Sequence, residues 1–302
     1  MSAVANETVP LASTSRAGEL PAGTANGRPP RRRVQRFGAA PSPVVRTVIL
    51  VLAGILFVGP ILAMLEFTFR IGLTGHYGFV HYLAFLHPDG TVDYSPLFQG
   101  IINSLTICVI TVAIVLVILL PTMLLVELRY PRMRRILEFV CILPITIPSI
   151  VLVVGFVPVY RTVASIFGSQ AWTLAFAVGI IVLPYAFRPI ATNIAAFDLV
   201  TLSEAARSLG ASWPRVILRV ILPNLRRGIV SAIFLTIAVV LGEYTIASFL
   251  SQNTFQTALV LLQHGDPYVA TIFAVAALLF AFVLLIVIGR LGTGGRKSRK
   301  AS

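Results

Sequence analysis

At 302 residues, with 57% hydrophobic and only 12% charged side chains, the chain is too apolar for a soluble domain, which carries about 25% charged residues. Backbone groups in lipid must be paired internally, so long apolar runs mean helices or a closed barrel; the absence of dyad alternation excludes the barrel. The formal net charge of +13 does not point to nucleic acid, because the basic residues flank apolar runs in short segments, as residues that set membrane orientation do.

Residues Met1 to about Pro43 are rich in Ala, Gly, Pro, Ser, Thr and Arg and lack apolar periodicity. They predict a disordered tail that closes on a basic cluster, Arg28, Arg31, Arg32, Arg33 and Arg36. The apolar run that follows is too long for the core of a cleaved signal peptide and reads as a retained first helix. Six spans are predicted: Val44–Phe67, Ile102–Leu125, Ile136–Val159, Trp172–Ala196, Gly228–Leu250 and Val269–Arg290. Each reaches about 30 Å at 1.5 Å per residue, enough to cross. Residues 291–302 form a second basic tail.

Basic residues fall on one side. Arg129, Arg132, Arg134 and Arg135 lie between the second and third spans, and Arg207, Arg215, Arg219, Arg226 and Arg227 between the fourth and fifth. The other side has only Arg70 and Arg161. Both termini are therefore expected in the cytoplasm of a bacterial inner-membrane, multi-pass protein. The loop Thr68–Gly100 carries Tyr77, Phe79, Tyr82, Phe85 and Tyr94, and a short interfacial helix is expected near His81–Leu86. Pro144 and Pro148 predict a kink within the third span. Cys108 and Cys141 lie in apolar runs and read as small apolar filler, with no disulfide or metal role.

The loop between the fourth and fifth spans is far longer than a connection needs. Thr201-Leu-Ser-Glu204 fits a capping box, with Thr201 at the N-cap and Glu204 reaching back to its amide. Ala205, Ala206, Arg207, Ser208 and Leu209 continue a short helix, and Gly210 suits a left-handed stop. Ser212 can cap a second helix with Pro214 in its first turn, and Pro223 is expected to break it before the fifth span. The small side chains of Ala205 and Ala206 would let another backbone approach closely.

Glu243 is the one acidic residue deep in a predicted span, about 15 residues or ~22 Å of helix beyond Gly228. Intramembrane carboxylates face a cavity or a partner. Two readings stand: Glu243 lines a translocation path with Tyr244, Thr245 and Ser248, or it holds helices together by an ion pair or hydrogen bond. Arg188 is read as a snorkelling or phosphate-facing residue in preference to a path residue, and Glu66 and Glu138 as helix-end groups within reach of water.

The pattern Glu204-Ala205-Ala206-x-x-x-Gly210, nine residues, then Val220-x-Leu222-Pro223 resembles the EAA loop of permease subunits of binding-protein-dependent ABC importers, the MetI-like family. Val220 stands where that family usually has Ile. The resemblance runs from the second span to the C-terminus. It implies an all-α polytopic fold with six transmembrane helices. It also implies that the loop is a coupling helix seated in a cytoplasmic ATPase, formed by Glu204, Ala205, Ala206, Ser208, Leu209, Gly210, Leu222 and Pro223. The chain has no G-x-x-x-x-G-K-[ST] loop, so ATP and its magnesium belong to a separate ATPase dimer, and the permease itself is not an enzyme. Further partners implied are a second, homologous permease, an extracytoplasmic solute-binding protein and membrane lipid.

Leu241–Leu250 and the stretch after Gln256 are similar to permeases of the polyamine, opine and phosphonate group. An acidic residue at Glu243 would favour a polyamine such as spermidine or putrescine, or a related organic cation; aminophosphonate, sugar or iron are the alternatives. An ion-coupled secondary transporter would carry several intramembrane carboxylates or histidines and an internal repeat, neither of which is evident. An intramembrane enzyme would need a motif such as H-E-x-x-H or G-x-S-x-G, and neither is present.

Overall fold

The computed structural model describes residues 42–72, 76–86 and 92–293. The expected basic tails lie mostly outside them. The chain divides into two compact units, Met1–Leu52 and Ala53–Ser302; of the first, the described part is residues 42–52, the opening turns of α1 (Pro43–Phe69).

The second unit is almost entirely helical. A two-stranded ribbon, β1 (Arg70–Ile71) with β2 (His76–Tyr77), leads into the short helix α2 (Val80–Leu86) where one was expected. The remaining helices are α3 (Ser95–Ile114), α4 (Leu120–Arg129), α5 (Arg134–Thr146), α6 (Ser149–Phe167) and α7 (Leu174–Ala195). They continue as α8 (Leu199–Ser208), α9 (Trp213–Val216), α10 (Leu222–Leu241), α11 (Thr245–Phe249), α12 (Phe255–Gly265) and α13 (Pro267–Thr293). Among the described residues six stretches are long and apolar enough to cross a bilayer: Pro43–Phe69, Ser95–Arg129, Ser149–Phe167, Ala171–Ala195, Trp213–Leu241 and Pro267–Val287.

Two expected spans need correction. The third is not continuous over Ile136–Val159. Ile147 is extended and Pro148 lies outside the helical region, so α5 and α6 are separate helices, and α6 alone is long and apolar enough to cross. The residue before a proline is pushed towards extended backbone, which is how Pro148 ends α5. The fifth span is shifted towards the N-terminus. It starts at Trp213 and stops at Leu241, so Glu243 lies beyond its helix.

Pro223 does not break the helix as expected. A π-helical turn, Ile217–Ile221, joins α9 to α10, and the Leu222 amide donates to Ile217 O. The same device occurs before Pro121, where the turn Val115–Leu119 ends with the Leu120 amide on Val115 O. In both cases the widened turn ends two residues before a proline, which has no amide to donate, and the chain continues helical.

The centre of the unit is α7, half of whose residues are buried. Val178, Val182, Ala186, Ile190 and Ile194 recur every fourth residue and are all buried. On α10, Leu225, Gly228, Ala232, Thr236 and Val240 form the matching buried stripe. Small residues bring the two helices close: a Cβ at Gly228 would lie 2.6 Å from Asn193 Cβ and 2.8 Å from Pro189 O. In lipid, such packing takes over from the hydrophobic effect as the force between helices. Cys108 and Cys141 are both buried and free.

At the end away from Arg129 and Trp213, Tyr268 stacks between Phe67 (ring centroids 4.8 Å) and His81 (3.8 Å). His81 Nε2 lies 3.0 Å from Arg70 O, and the Tyr77 hydroxyl donates to Glu66 at 2.7 Å. These contacts tie the ribbon and α2 to the start of α13.

Candidate functional site

Between α7 and α10 the chain makes a polar excursion whose two ends are both closed by side chains or by special backbone. Asp198, not Thr201, caps α8: its carboxylate accepts the Thr201 amide at 3.1 Å and the Thr201 hydroxyl at 2.6 Å. Those two bonds hold the Asp198 carboxyl below the usual carboxylate range. The expected capping box is therefore absent. The helix starts three residues earlier, where it buries Leu199, and Glu204 is exposed in the second turn with no capping role.

The C-terminal stop is where the sequence placed it. Gly210 has φ +82°, its amide donates to Arg207 O at 2.9 Å, and the Ala211 amide donates to Ala206 O at 3.1 Å. This is a Schellman closure, which satisfies carbonyls that the helix end would leave open. Ser212 stands at the N-cap of α9, but its side chain makes no capping bond. The indole of Trp213 receives Arg207 at 4.9 Å and Arg129 at 5.9 Å from its centroid, so α8, α9 and the end of α4 meet on one ring.

The excursion has an inner and an outer face. Leu199 and Ser203 are buried, and Leu202, Ala206 and Leu222 pack against the core. Glu204, Ala205, Ser208 and Gly210 are exposed, as is Pro223, and Leu209 at the tip is 87% exposed. Of the predicted coupling residues, the structure thus groups Glu204, Ala205, Ser208, Leu209 and Gly210 at the surface. Ala206 and Leu222 serve as the packing behind them.

The other predicted site lies beyond the end of α10. Gly242 stops that helix, and Glu243 occupies the break before α11. Its carboxylate accepts the amides of Ile246 (2.8 Å) and Ala247 (3.2 Å). Nearby is a cleft of about 550 Å³ bordered by Tyr244 and Ser248, together with Ser251, Gln252, Asn253 and His264. Glu243 and Thr245 do not border it. The polar run Ser251-Gln-Asn-Thr254, between apolar segments, is the sequence signal for this cleft. Among the described residues no cluster of His, Cys, Asp or Glu could hold a metal ion, and Arg134 pairs with Glu127 at 3.6 Å.

Residues 124–293 match the family described as binding-protein-dependent transport system inner membrane component. The match covers more than half of the chain, from α4 through the Glu204 excursion and the cleft to the end of α13. No curated protein matches the chain. With a polytopic helical fold that such a component requires, the chain belongs to this family and is the membrane permease subunit of a binding-protein-dependent ABC transporter.

Proposed function

We propose that the chain is the permease of an ATP-driven importer and that α8, with the Gly210 turn, is the surface that a separate ATPase grips. The observation that carries this reading is the exposure of Leu209, 87%, at the tip of an element closed at both ends and braced to the spans through Trp213. An exposed leucine alone means little. One held on rigid backbone, beside the small side chain of Ala205, suits insertion into another protein's groove. Rigidity matters because a loose loop would absorb the partner's motion instead of passing it on. The cytoplasm is then on the side of the Arg-rich loops, in keeping with the distribution of basic residues.

Solute would pass along the segment after α10 that presents Tyr244 and Ser248, with Glu243 and Thr245 behind them. The other wall would come from a second permease, a homologous but different chain, and a solute-binding protein would deliver to the opposite face from the ATPase. The resemblance of Leu241–Leu250 to the polyamine, opine and phosphonate permeases would favour an organic cation, but both oxygens of Glu243 already accept amides, so that carboxylate gives a cation no free partner.

Co-expression with an ABC ATPase subunit from the same genome tests the coupling surface. The wild-type chain should co-purify with that ATPase, and Leu209→Asp should reduce both recovery of the complex and ATP-dependent uptake at least tenfold. Wild-type levels of both in Leu209→Asp would overturn the assignment. Glu204→Gln then asks a narrower question: undiminished coupling would remove any ion pair between Glu204 and the ATPase.

A further inference from the structure

The chain from Gly242 to Thr254 turns back into the depth of the spans. Ser104 Oγ on α3 accepts the Phe255 amide at 2.9 Å, and a Cβ at Gly100 would lie 2.6 Å from Thr254 O. Gly100 and Ser104 are five and nine residues into α3, roughly 8 and 14 Å below its start. Tyr94, just before that start, donates to Asp266 at the α12–α13 corner (3.2 Å), so α12 climbs back from this depth to the mouth. Two stretches, Gly242–Tyr244 and Leu250–Thr254, are therefore non-helical at a depth where backbone is tolerated only if protein or a water-filled cavity satisfies it.

Side chains supply much of that satisfaction. Gln256 donates to Leu241 O at 3.0 Å, Asn103 to Asn253 O at 2.8 Å, and Asn253 to Pro96 O at 2.9 Å. Glu243 receives two α11 amides, and Ser251 is held at φ +53°, a left-handed conformation that a non-glycine residue keeps only where its surroundings impose it. Among the described residues that line the cleft there is no carboxylate, ammonium or guanidinium, and the imidazole of His264 borders it. Its lining offers the hydroxyls of Tyr244, Ser248 and Ser251, which carry no protein hydrogen bond among the described residues, and the amides of Gln252 and Asn253, which each spend one donor on a carbonyl (Ser169 O at 3.3 Å, Pro96 O at 2.9 Å); apolar contact comes from Ala247, Ala258, Val260 and Leu261.

We infer that Glu243 is a positioning residue that latches this re-entrant hairpin, and that the cleft takes an uncharged, hydroxyl-bearing solute such as a monosaccharide or polyol. The inference rests on the permease reading above. On this chain's wall of the path a polycation would meet no opposite charge and would lose hydration there without compensation. A polyol finds hydroxyl and amide groups that both donate and accept, in a volume within the usual range of small-molecule sites.

The test uses the whole transporter in proteoliposomes, with radiolabelled glucose, sorbitol and spermidine as probes. The expected result is uptake of a neutral probe and none of spermidine. Glu243→Gln, which keeps one acceptor oxygen, should leave KM within about twofold and retain most of Vmax. Glu243→Leu should lower Vmax at least tenfold with KM little changed, because the hairpin loosens while the lining stays. Amide exchange at Ile246 and Ala247, measured on the purified complex, should quicken at least tenfold in the Leu variant and much less in the Gln variant. Spermidine uptake whose KM rises tenfold or more in Glu243→Gln would overturn the inference, as would no accumulation of either neutral probe by a complex that hydrolyses ATP. Unchanged exchange in Glu243→Leu would remove the latch. Failure of the wild-type chain to bind any ATPase is a separate outcome that sinks the permease reading instead.

Discussion

The guanidinium of Arg207 sits 4.9 Å from the centre of the Trp213 ring, joining the last turn of α8 to the first residue of α9 across the Gly210 turn. Arg129 reaches the same ring at 5.9 Å from the end of α4. One aromatic ring therefore fixes the excursion to itself and to a membrane-crossing helix. Each cation–π contact of this kind is worth about 0.5–1 kcal/mol at an exposed site. Trp213→Leu should leave the spans folded yet loosen the excursion. Solute moved per ATP should fall several-fold with ATP hydrolysis retained; an unchanged ratio would show that the ring is not a brace.

At Gly210 the space around a Cβ is empty, and only the backbone angle, φ +82°, restricts the residue. Gly210→Ala should therefore destabilise the turn by about 1–2 kcal/mol through left-handed strain alone. Gly210→Asn should cost less, because asparagine visits that region more readily. Limited proteolysis after Arg207 would rank the three proteins as Ala, then Asn, then wild type in order of cleavage rate. Equal rates for Ala and wild type would contradict the strain argument.

Gly228 presents the opposite case, an ordinary helical backbone with no room. A methyl group there would overlap Asn193 Cβ and Pro189 O, so α10 must move off α7. Gly228→Ala is expected to lose about 1–3 kcal/mol, the usual range for overpacking, and Gly228→Leu to abolish recovery of folded protein. A thermal unfolding midpoint for Gly228→Ala at or above that of wild type would show that the helices can separate freely.

Asp198 gives a pH dependence of known sign. Its carboxyl is held below the usual range by the hydroxyl and amide of Thr201. A depressed folded value means that the stabilisation is complete above the unfolded value, near pH 4, and is lost as pH falls below it. Exchange of the Thr201 amide should be well protected at pH 7 and should lose protection below about pH 4. Asp198→Ala should show the unprotected behaviour at both. A pH-independent protection factor would mean that another group caps α8.

Four of the six crossings, near α1, α3, α7 and α13, were legible because lipid demands long apolar runs, and Gly210 was legible because a left-handed stop favours glycine. The helix start was misplaced because Thr201 and Glu204 have the right spacing for a capping box. Asp198 accepts the Thr201 amide and hydroxyl instead, and a carboxylate is a stronger acceptor than a hydroxyl. Such competition between local partners is decided by where Leu199 finds the core, which no spacing rule contains.

Local chemistry written along the chain therefore settled the membrane class, the crossings near α1, α3, α7 and α13, and the excursion that carries Glu204 and Leu209. Tertiary packing alone decided that α10 stops at Leu241 and that the following segment folds back against α3. Glu243 shows why. In the sequence it is a charge within an apolar run, and nothing there reveals whether its oxygens meet a solute or amides. The contact of Gly100 and Ser104 with Thr254 and Phe255 sets the depth of the hairpin, and the carboxylate's partners are the amides of α11 that follow it.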